Sequence, residues 1–274
     1  MQLRCARFSL DLTTPQVMAI VNVTPDSFSD GGRFNQLDHA LGHALQMIEQ
    51  GAAVLDIGGE STRPNATPVA AEEELRRVIP LIEALVARNI PVPISIDTYK
   101  PVVMKAAIEA GASIVNDVCG LQTPGALEVV AASDAGVCIM HMQGTPQTMQ
   151  IDPHYDDVVL QVKTFLQTQR DTCLAAGIAQ DRIMLDPGFG FGKTRAHNIS
   201  LAKSLSSLLD LGCPLLVGLS RKSVLGQVTG NDVDARLYAS VAAAVISAMQ
   251  GAHLLRVHDV KATVEALKVV TALK

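Results

Sequence analysis

Aromatic side chains are scarce in this sequence, at 3% of residues with no tryptophan, and positive charge is in deficit, leaving a formal net charge of -5. A nucleic-acid surface needs basic patches and stacking rings, so both shortages argue against that partner. No apolar run approaches the roughly 20 residues of a membrane-spanning helix, and no membrane partner is expected. The N-terminus has Arg4 and Arg7 followed by only a few mixed residues, which is not the apolar core of a signal peptide. The five cysteines (Cys5, Cys119, Cys138, Cys173, Cys213) are odd in number and include no Cys-x-x-Cys pair. That points to reduced thiols in or near a core, not to disulfides or zinc. No Pro/Gly/Ser-rich linker or low-complexity run interrupts the 274 residues, of which 48% are hydrophobic. The expectation is one soluble, cytoplasmic domain, residues 1–274, with a large core.

What the sequence does have is a repeated unit. Eight times a short apolar run stops at polar residues and a helix-like stretch follows. The runs 17–21, 52–55, 92–96 and 112–115 stop at Asn22, Asp56, Asp97 and the pair Asn116-Asp117. The runs 136–140 and 182–185 stop at His141 and Asp186; 214–219 stops at Ser220, Arg221 and Lys222, and 253–255 leads to Arg256 and His258. Eight strand–helix units in about 250 residues match an α/β fold of the (β/α)8 TIM-barrel class, whose active site lies at the C-terminal strand ends. The runs are rich in Val, Ile, Leu and Met without alternation, as parallel strands covered on both faces should be. Residues 1–15, ahead of the first barrel strand, are expected to form a hairpin or plug at the barrel bottom.

The helices carry their own punctuation. Leu37, Leu41, Leu45 and Ile48 recur at helical spacing, with Gly51 as a C-terminal cap. Pro101 stands where a first helical turn tolerates proline. Helices are expected over 198–211, ending at Gly212, over 235–250, ending at Gly251, and over 259–273. Pro80, inside the pattern 72–88, predicts a kink or break. Three connections, 22–36, 58–70 and 220–234, are long, polar and on the same face, as binding loops are.

The strand ends supply the chemistry. Lys222, Arg256 and His258 close the last two strands, where many barrels bind phosphate, and a guanidinium can hold phosphate oxygens bidentately. Arg63 could join that anion site. Asp97, Asn116 and Asp186, with Asp56 and Asp117 nearby, could bind a divalent metal or grip a planar heterocycle through paired N–H donors. The absence of an early His-x-His pair disfavours a metal cage, and His141 reads as a satisfied supporting histidine. In DPGFGFGK (186–193) the glycines permit close backbone approach to a flat ligand, and Phe189 and Phe191 could supply an apolar wall. The spacing is not that of a P-loop.

These residues, in this order, resemble the bacterial dihydropteroate synthases. The matching segments are NVTPDSFSDGG (22–32), LDIGGESTRP (55–64), SIDT (95–98), VND (115–117), DPGFGFGK (186–193), GLSRKS (218–223) and RVHDV (256–260). The resemblance implies a homodimeric transferase of folate biosynthesis and a sulfonamide target. It would join (7,8-dihydropterin-6-yl)methyl diphosphate to 4-aminobenzoate with release of diphosphate. Carried over by position, Asp97, Asn116, Asp186 and Lys222 line the pterin pocket. Asn22, Arg256 and His258 look like the diphosphate end, with Asn22 also a ligand of Mg2+. Thr62, Arg63, Pro64, Ser220 and Arg221 resemble the aminobenzoate side, beside Phe28, Gly190 and Phe191. Arg63, Lys222, Arg256 and His258 would be the catalytic set.

The implied chemistry needs no nucleophile–base pair. Mg2+ and the cationic cluster would stabilise the leaving diphosphate, the C–O bond would break early, and the arylamine would attack the resulting cation. Two residues depart from the usual pattern: Asn65 stands where many relatives have glycine, and Tyr99 where a small residue is common. Three rival readings follow from the same inventory, one of them a catalytically silent binding protein, against which all the matched site residues speak. A pterin-binding methyltetrahydrofolate methyltransferase module would share the pocket but needs no diphosphate site. A Schiff-base lyase would need Lys222 desolvated with a lowered pKa.

Overall fold

The computed structural model describes residues 1–23, 33–61 and 66–273. Two short strands, β1 (Gln2–Cys5) and β2 (Phe8–Asp11), pair antiparallel as a hairpin. Eight parallel strands follow: β3 (Gln16–Asn22), β4 (Val54–Gly58), β5 (Ile94–Asp97), β6 (Ile114–Asp117), β7 (Gly136–Met140), β8 (Ile183–Asp186), β9 (Leu216–Val217) and β10 (Leu254–Val257). Their order around the sheet is β8-β7-β6-β5-β4-β3-β10-β9, and a parallel bridge between Leu185 and Leu215 closes it. The architecture is a TIM barrel.

Strand periodicity builds both the core and the site. Met18, Val54, Ile114, Cys138, Met184, Leu216 and Leu254 form a buried cluster inside the barrel, closed below by Leu3, Cys5 and Leu12 from the hairpin end. Burying Leu3 and Leu12 there contributes roughly 1.5–3 kcal/mol each. Side chains two residues on share a strand face. Hence Asp56 stands above Val54, Asn116 above Ile114, Asp186 above Met184 and Arg256 above Leu254, while Asp97 stands above Ser95. The alternate residues, such as Val17, Ala19, Leu55, Ile57, Val115, Ile139, Leu185 and Leu255, face outward into the larger cluster under the helices. The interior is therefore apolar at the bottom and polar at the top.

The helices are α1 (Arg33–Glu49), α2 (Ala71–Ala87), α3 (Pro101–Glu109), α4 (Ala126–Ala131), α5 (Val158–Ala175), α6 (Arg195–Lys203), α7 (Ser223–Thr229), α8 (Leu237–Met249) and α9 (Val260–Leu273). In α2, Glu74, Val78, Leu81, Ile82 and Leu85 form the buried stripe, spaced as one face of a helix. Asp157 caps α5 by accepting from the Val159 and Leu160 N–H groups, each at 3.0 Å.

Several expectations are corrected. Helix α2 runs unbroken through Pro80; Pro80 and Arg76 are exposed, so water can satisfy the carbonyl that proline leaves without a donor. The stretch 198–211 divides into α6 and a 3-10 segment, Leu205–Leu211, before Gly212. The 220–234 connection is not a bare loop, because α7 occupies its middle. Asp56 lies inside β4, not at its end. A long connection not anticipated from the sequence, 141–157, follows β7. The alanines 243, 244 and 248 of α8 are buried, whereas its other side exposes Tyr238, Ile246 and Met249.

Candidate active site at the barrel mouth

The centre of the mouth is a buried ion cluster. Arg256 Nε donates to Asp56 Oδ2 and its Nη2 to Asp97 Oδ2, both at 2.6 Å. Asn116 Nδ2 donates to the same Asp56 oxygen at 3.1 Å. Burial opposes the charge on Arg256, but Asp56 and Asp97 outweigh it and hold its pKa above the ordinary arginine value. Burial likewise raises Asp97 above the usual carboxylate range against the pull of Arg256. Among the described residues, Asp97 Oδ1, Asp56 Oδ1 and Ser95 Oγ are buried without a hydrogen-bond partner. Buried polar atoms are seldom left so, and Asp97 Oδ1, the nearest of the three to the end of its strand, is suited to accept from a ring N–H.

Asp186 and Lys222 face this cluster. Asp186 Oδ1 accepts from Gly188 N–H at 2.7 Å, and burial raises its pKa while Lys222 pulls the other way. Lys222 Nζ donates to the Phe189 carbonyl and stands 4.5 Å from the centre of the Phe191 ring. Burial pushes Lys222 down to about 8, with Asp186 opposing. Phe189 is fully buried in the outer core, so only Phe191 of the two phenylalanines can wall a ligand. Asp117, on the opposite face of β6 from Asn116, accepts from Cys119 and Leu121 N–H, each at 2.8 Å, and orders that turn.

Asn22, Arg221 and His258 come together on another side, lining a cavity of about 620 Å3 with His39, His43 and Gln46 of α1. The α1 residues had no signal in the sequence beyond a helical period. Ser220 Oγ lies 3.1 Å from His258 Nδ1. Arg221, at φ +57°, pairs with Asp259 through Nε at 3.1 Å and Nη2 at 2.6 Å. Arg221 thus lines the same cavity as Asn22 and His258. Arg256 is engaged by carboxylates at the centre. Gly58 bridges the two regions: a Cβ there would lie 3.7 Å from Asn22 Oδ1 and 3.6 Å from Asp97 Cβ.

Phe28, Thr62, Arg63, Pro64 and Asn65 lie outside the described residues. The chain entering that second segment is anchored: Lys100 pairs with buried Glu60 and Glu74, and Tyr99 OH donates to Glu60 at 3.2 Å. Tyr99 is therefore tied to the chain leaving β4. Lys193, read from the sequence only as the end of a motif, is buried beneath the glycine turn beside His141. A lysine directly after three alternating glycines was the one available signal. His141 is held neutral, its pKa pushed down to about 3 first by burial and then by Lys193.

The arrangement offers a buried carboxylate–amide floor with one lysine, and beside it a polar cavity lined by Asn22, Asp38, Arg221 and three histidines, which suits a planar heterocycle carrying a polar, hydrogen-bonding group. Comparison with known proteins agrees. The family model described as pterin binding enzyme matches residues 18–258. The dihydropteroate synthase of Escherichia coli (strain K12) is 54% identical over 264 residues, 96% of this chain and 93% of that one. The structure of Xanthomonas albilineans dihydropteroate synthase with 4-aminobenzoic acid matches at a TM-score of 0.94 and 52% identity, covering 99% and 97% of the two chains. The same enzyme in complex with 7,8-dihydropteroate matches at a TM-score of 0.91 and 50% identity, covering 100% and 98%.

Proposed function

The chain belongs to the pterin-binding enzyme family, among its dihydropteroate synthases, and from that premise we propose how its own residues share the work. The reaction is the transfer of the dihydropterin-6-ylmethyl group from its diphosphate to 4-aminobenzoate, giving 7,8-dihydropteroate and diphosphate in folate biosynthesis. The methyltransferase alternative is not supported, because the relatives over nearly the full chain are dihydropteroate synthases.

Asp97, Asn116, Asp186 and Lys222 bind the pterin. The observation that carries this is Asp97 Oδ1, buried at the mouth with no partner among the described residues, as a receptor for a ring N–H would be. Arg256 holds Asp97 and Asp56 in place and adds positive charge next to the reacting methylene. His258, Asn22 and Arg221 take the diphosphate; their shared cavity supports this. Ser220, Gly190 and Phe191 serve the aminobenzoate, together with Phe28, Thr62, Arg63 and Pro64 on sequence grounds.

In the reaction the methylene C–O electron pair leaves with the diphosphate. The arylamine lone pair forms the new C–N bond, and the resulting arylammonium is acidic enough to lose its proton to water. Arg256, His258 and Arg63 stabilise the charge that develops on the leaving oxygen. Lys222 and Asp97 fix the ring so that the methylene faces the amine.

Asn22 fits a role in holding Mg2+. Its side chain opens onto the cavity shared with His258, and among the described residues no cluster of three His, Cys, Asp or Glu could hold a metal. Mg2+ commonly takes few protein ligands beside substrate phosphates, so a single amide is a sufficient donor. When bound, it would neutralise charge on the diphosphate.

A homodimer through α8 and α9 is supported by exposed Tyr238, Ile246, Met249, Val269 and Leu273 on that face. Sedimentation of Met249→Asp against the unsubstituted protein tests it: a species of unchanged mass would remove this interface. A cytoplasmic location is in keeping with five free cysteines; among the described residues no helix is long and apolar enough to cross a membrane.

The decisive assay is diphosphate release that depends on both substrates. Release from the pterin diphosphate at the same rate without 4-aminobenzoate, and no dihydropteroate, would refute the reading.

A further inference from the structure

Residues 188–192 form a turn that lies backbone to backbone on the start of the 141–157 connection. A Cβ added at Gly188 would fall 1.8 Å from the His141 carbonyl, and one at Gly192 would fall 2.5 Å from the Gln143 carbonyl. Such close contact brings acceptors together without side chains to satisfy them. Lys193 Nζ lies among them, 2.8 Å from the Gly188 carbonyl, 3.0 Å from the Phe191 carbonyl and 2.9 Å from His141 Nδ1. An ammonium has three donors, and here it meets these three acceptors and, at 3.4 Å, the His141 carbonyl, all uncharged. Only 3% of Lys193 is exposed.

The same turn meets Lys222 on its other side. Lys222 Nζ takes the Phe189 carbonyl and stands over the Phe191 ring, while Gly190 N–H donates to Asn198 Oδ1 at 2.7 Å. The 141–157 connection adds Tyr155 OH on the Gly192 carbonyl at 2.7 Å and Gln150 Nε2 on the Gly190 carbonyl at 2.6 Å. One short turn therefore carries a buried lysine below and a ligand-facing lysine above. Any change in its shape moves Lys222 and Phe191 together.

We infer that Lys193 is a positioning residue for the transfer reaction, its buried ammonium holding the 188–191 turn in the shape that sets Lys222 and Phe191 for the two substrates. The inference rests on the reading of the site given above. His141 completes the device as an acceptor: burial keeps its ring neutral, and its edge-on contact with Phe165, centroids 4.9 Å apart, fixes its plane. Burial also pushes Lys193 down to about 7, Asp186 pulling it back.

The test uses the full chain with Lys193→Met, which keeps the volume and removes the donors, and with His141→Phe, which keeps the ring contact and removes one acceptor. For Lys193→Met the KM for 4-aminobenzoate should rise about tenfold, within the range expected when the groups that place a substrate are displaced by a fraction of an ångström. The alkaline inflection in pterin binding that belongs to Lys222 should shift as well. His141→Phe should give the same changes in smaller measure, and it serves alone if the methionine variant does not fold. An unchanged KM and inflection in folded protein would overturn the inference. So would a loss of activity that follows only the folded fraction, since that is a purely structural role. Absence of dihydropteroate formation by the unsubstituted protein would instead defeat the functional reading, and the inference with it.

Discussion

Arg256, on the last strand of the barrel, reaches Asp97 on the third, with Nη2 2.6 Å from Oδ2. A second hydrogen bond of the same length, to Asp56, fixes the guanidinium between them. The cation proposed to stand beside the reacting methylene is thereby attached to the proposed pterin floor. A change at either residue reaches both halves of the site.

Asp97→Asn should weaken pterin binding by about 1–3 kcal/mol, because an amide in place of the carboxylate leaves a ring donor unpaired. The fold should persist, since Arg256 keeps Asp56. Calorimetric titration with a pterin checks the first point and thermal melting the second. An unchanged pterin affinity would remove Asp97 from the floor.

Arg256→Ala separates less cleanly than its place at a strand end suggests. It leaves Asp56 and Asp97 buried without their cation, and breaking a buried pair costs about 3–5 kcal/mol. Affinity should therefore fall for the bare pterin alcohol as well as for the diphosphate. His258→Ala, in the cavity with Asn22, should weaken the diphosphate-bearing ligand alone. Comparing both ligands on both variants is the measurement; selective loss with Arg256→Ala and general loss with His258→Ala would reverse the assignment.

Most of this site was legible because polar residues ended apolar runs, and strand periodicity then stacked Asn116, Asp186 and Arg256 above Ile114, Met184 and Leu254. The partners of Arg256 were not legible, since they lie on strands far away in sequence. Nor was the burial of Phe189 as against Phe191: both follow glycine, and the shape of the turn alone decides which faces the core. The unbroken helix at Pro80 shows tertiary packing overriding a local signal. Helix α7 is too short to show a periodic pattern. The roles expected of Phe28, Thr62, Arg63 and Pro64 rest on sequence alone.

Lys222 sets a pH dependence. In the proposed role the charged form donates to the pterin, so pterin affinity should be full below about 8, the value to which burial depresses this lysine, and decline above it. The decline should approach tenfold per pH unit, about 1.4 kcal/mol. In the empty protein the depressed pKa acts in the opposite sense. Its contribution to stability is present above the unfolded value of about 10.4 and is lost as pH falls through the folded one. Lys222→Gln should flatten the affinity profile across this window. A profile that keeps its inflection in Lys222→Gln would assign it to another group.

Two glycines with opposite surroundings give the sharpest contrast. Gly42, in α1, would present an added Cβ to nothing within 4 Å among the described residues. Gly42→Ala should therefore stabilise the fold by about 0.5–1 kcal/mol through helix propensity alone, seen as a higher melting temperature. Gly190 has φ +80°, and a Cβ there would lie 3.3 Å from Lys222 Cδ. Gly190→Ala meets both penalties, roughly 1–2 kcal/mol for the left-handed backbone and displacement of the lysine chain. Its melting temperature should fall and its pterin affinity should drop with it, because Lys222 is the side chain that must give way. If pterin affinity held while stability fell, Lys222 would not be bearing on the ring, and the alkaline inflection assigned to it would have to be sought in Lys193, which shares the field of Asp186.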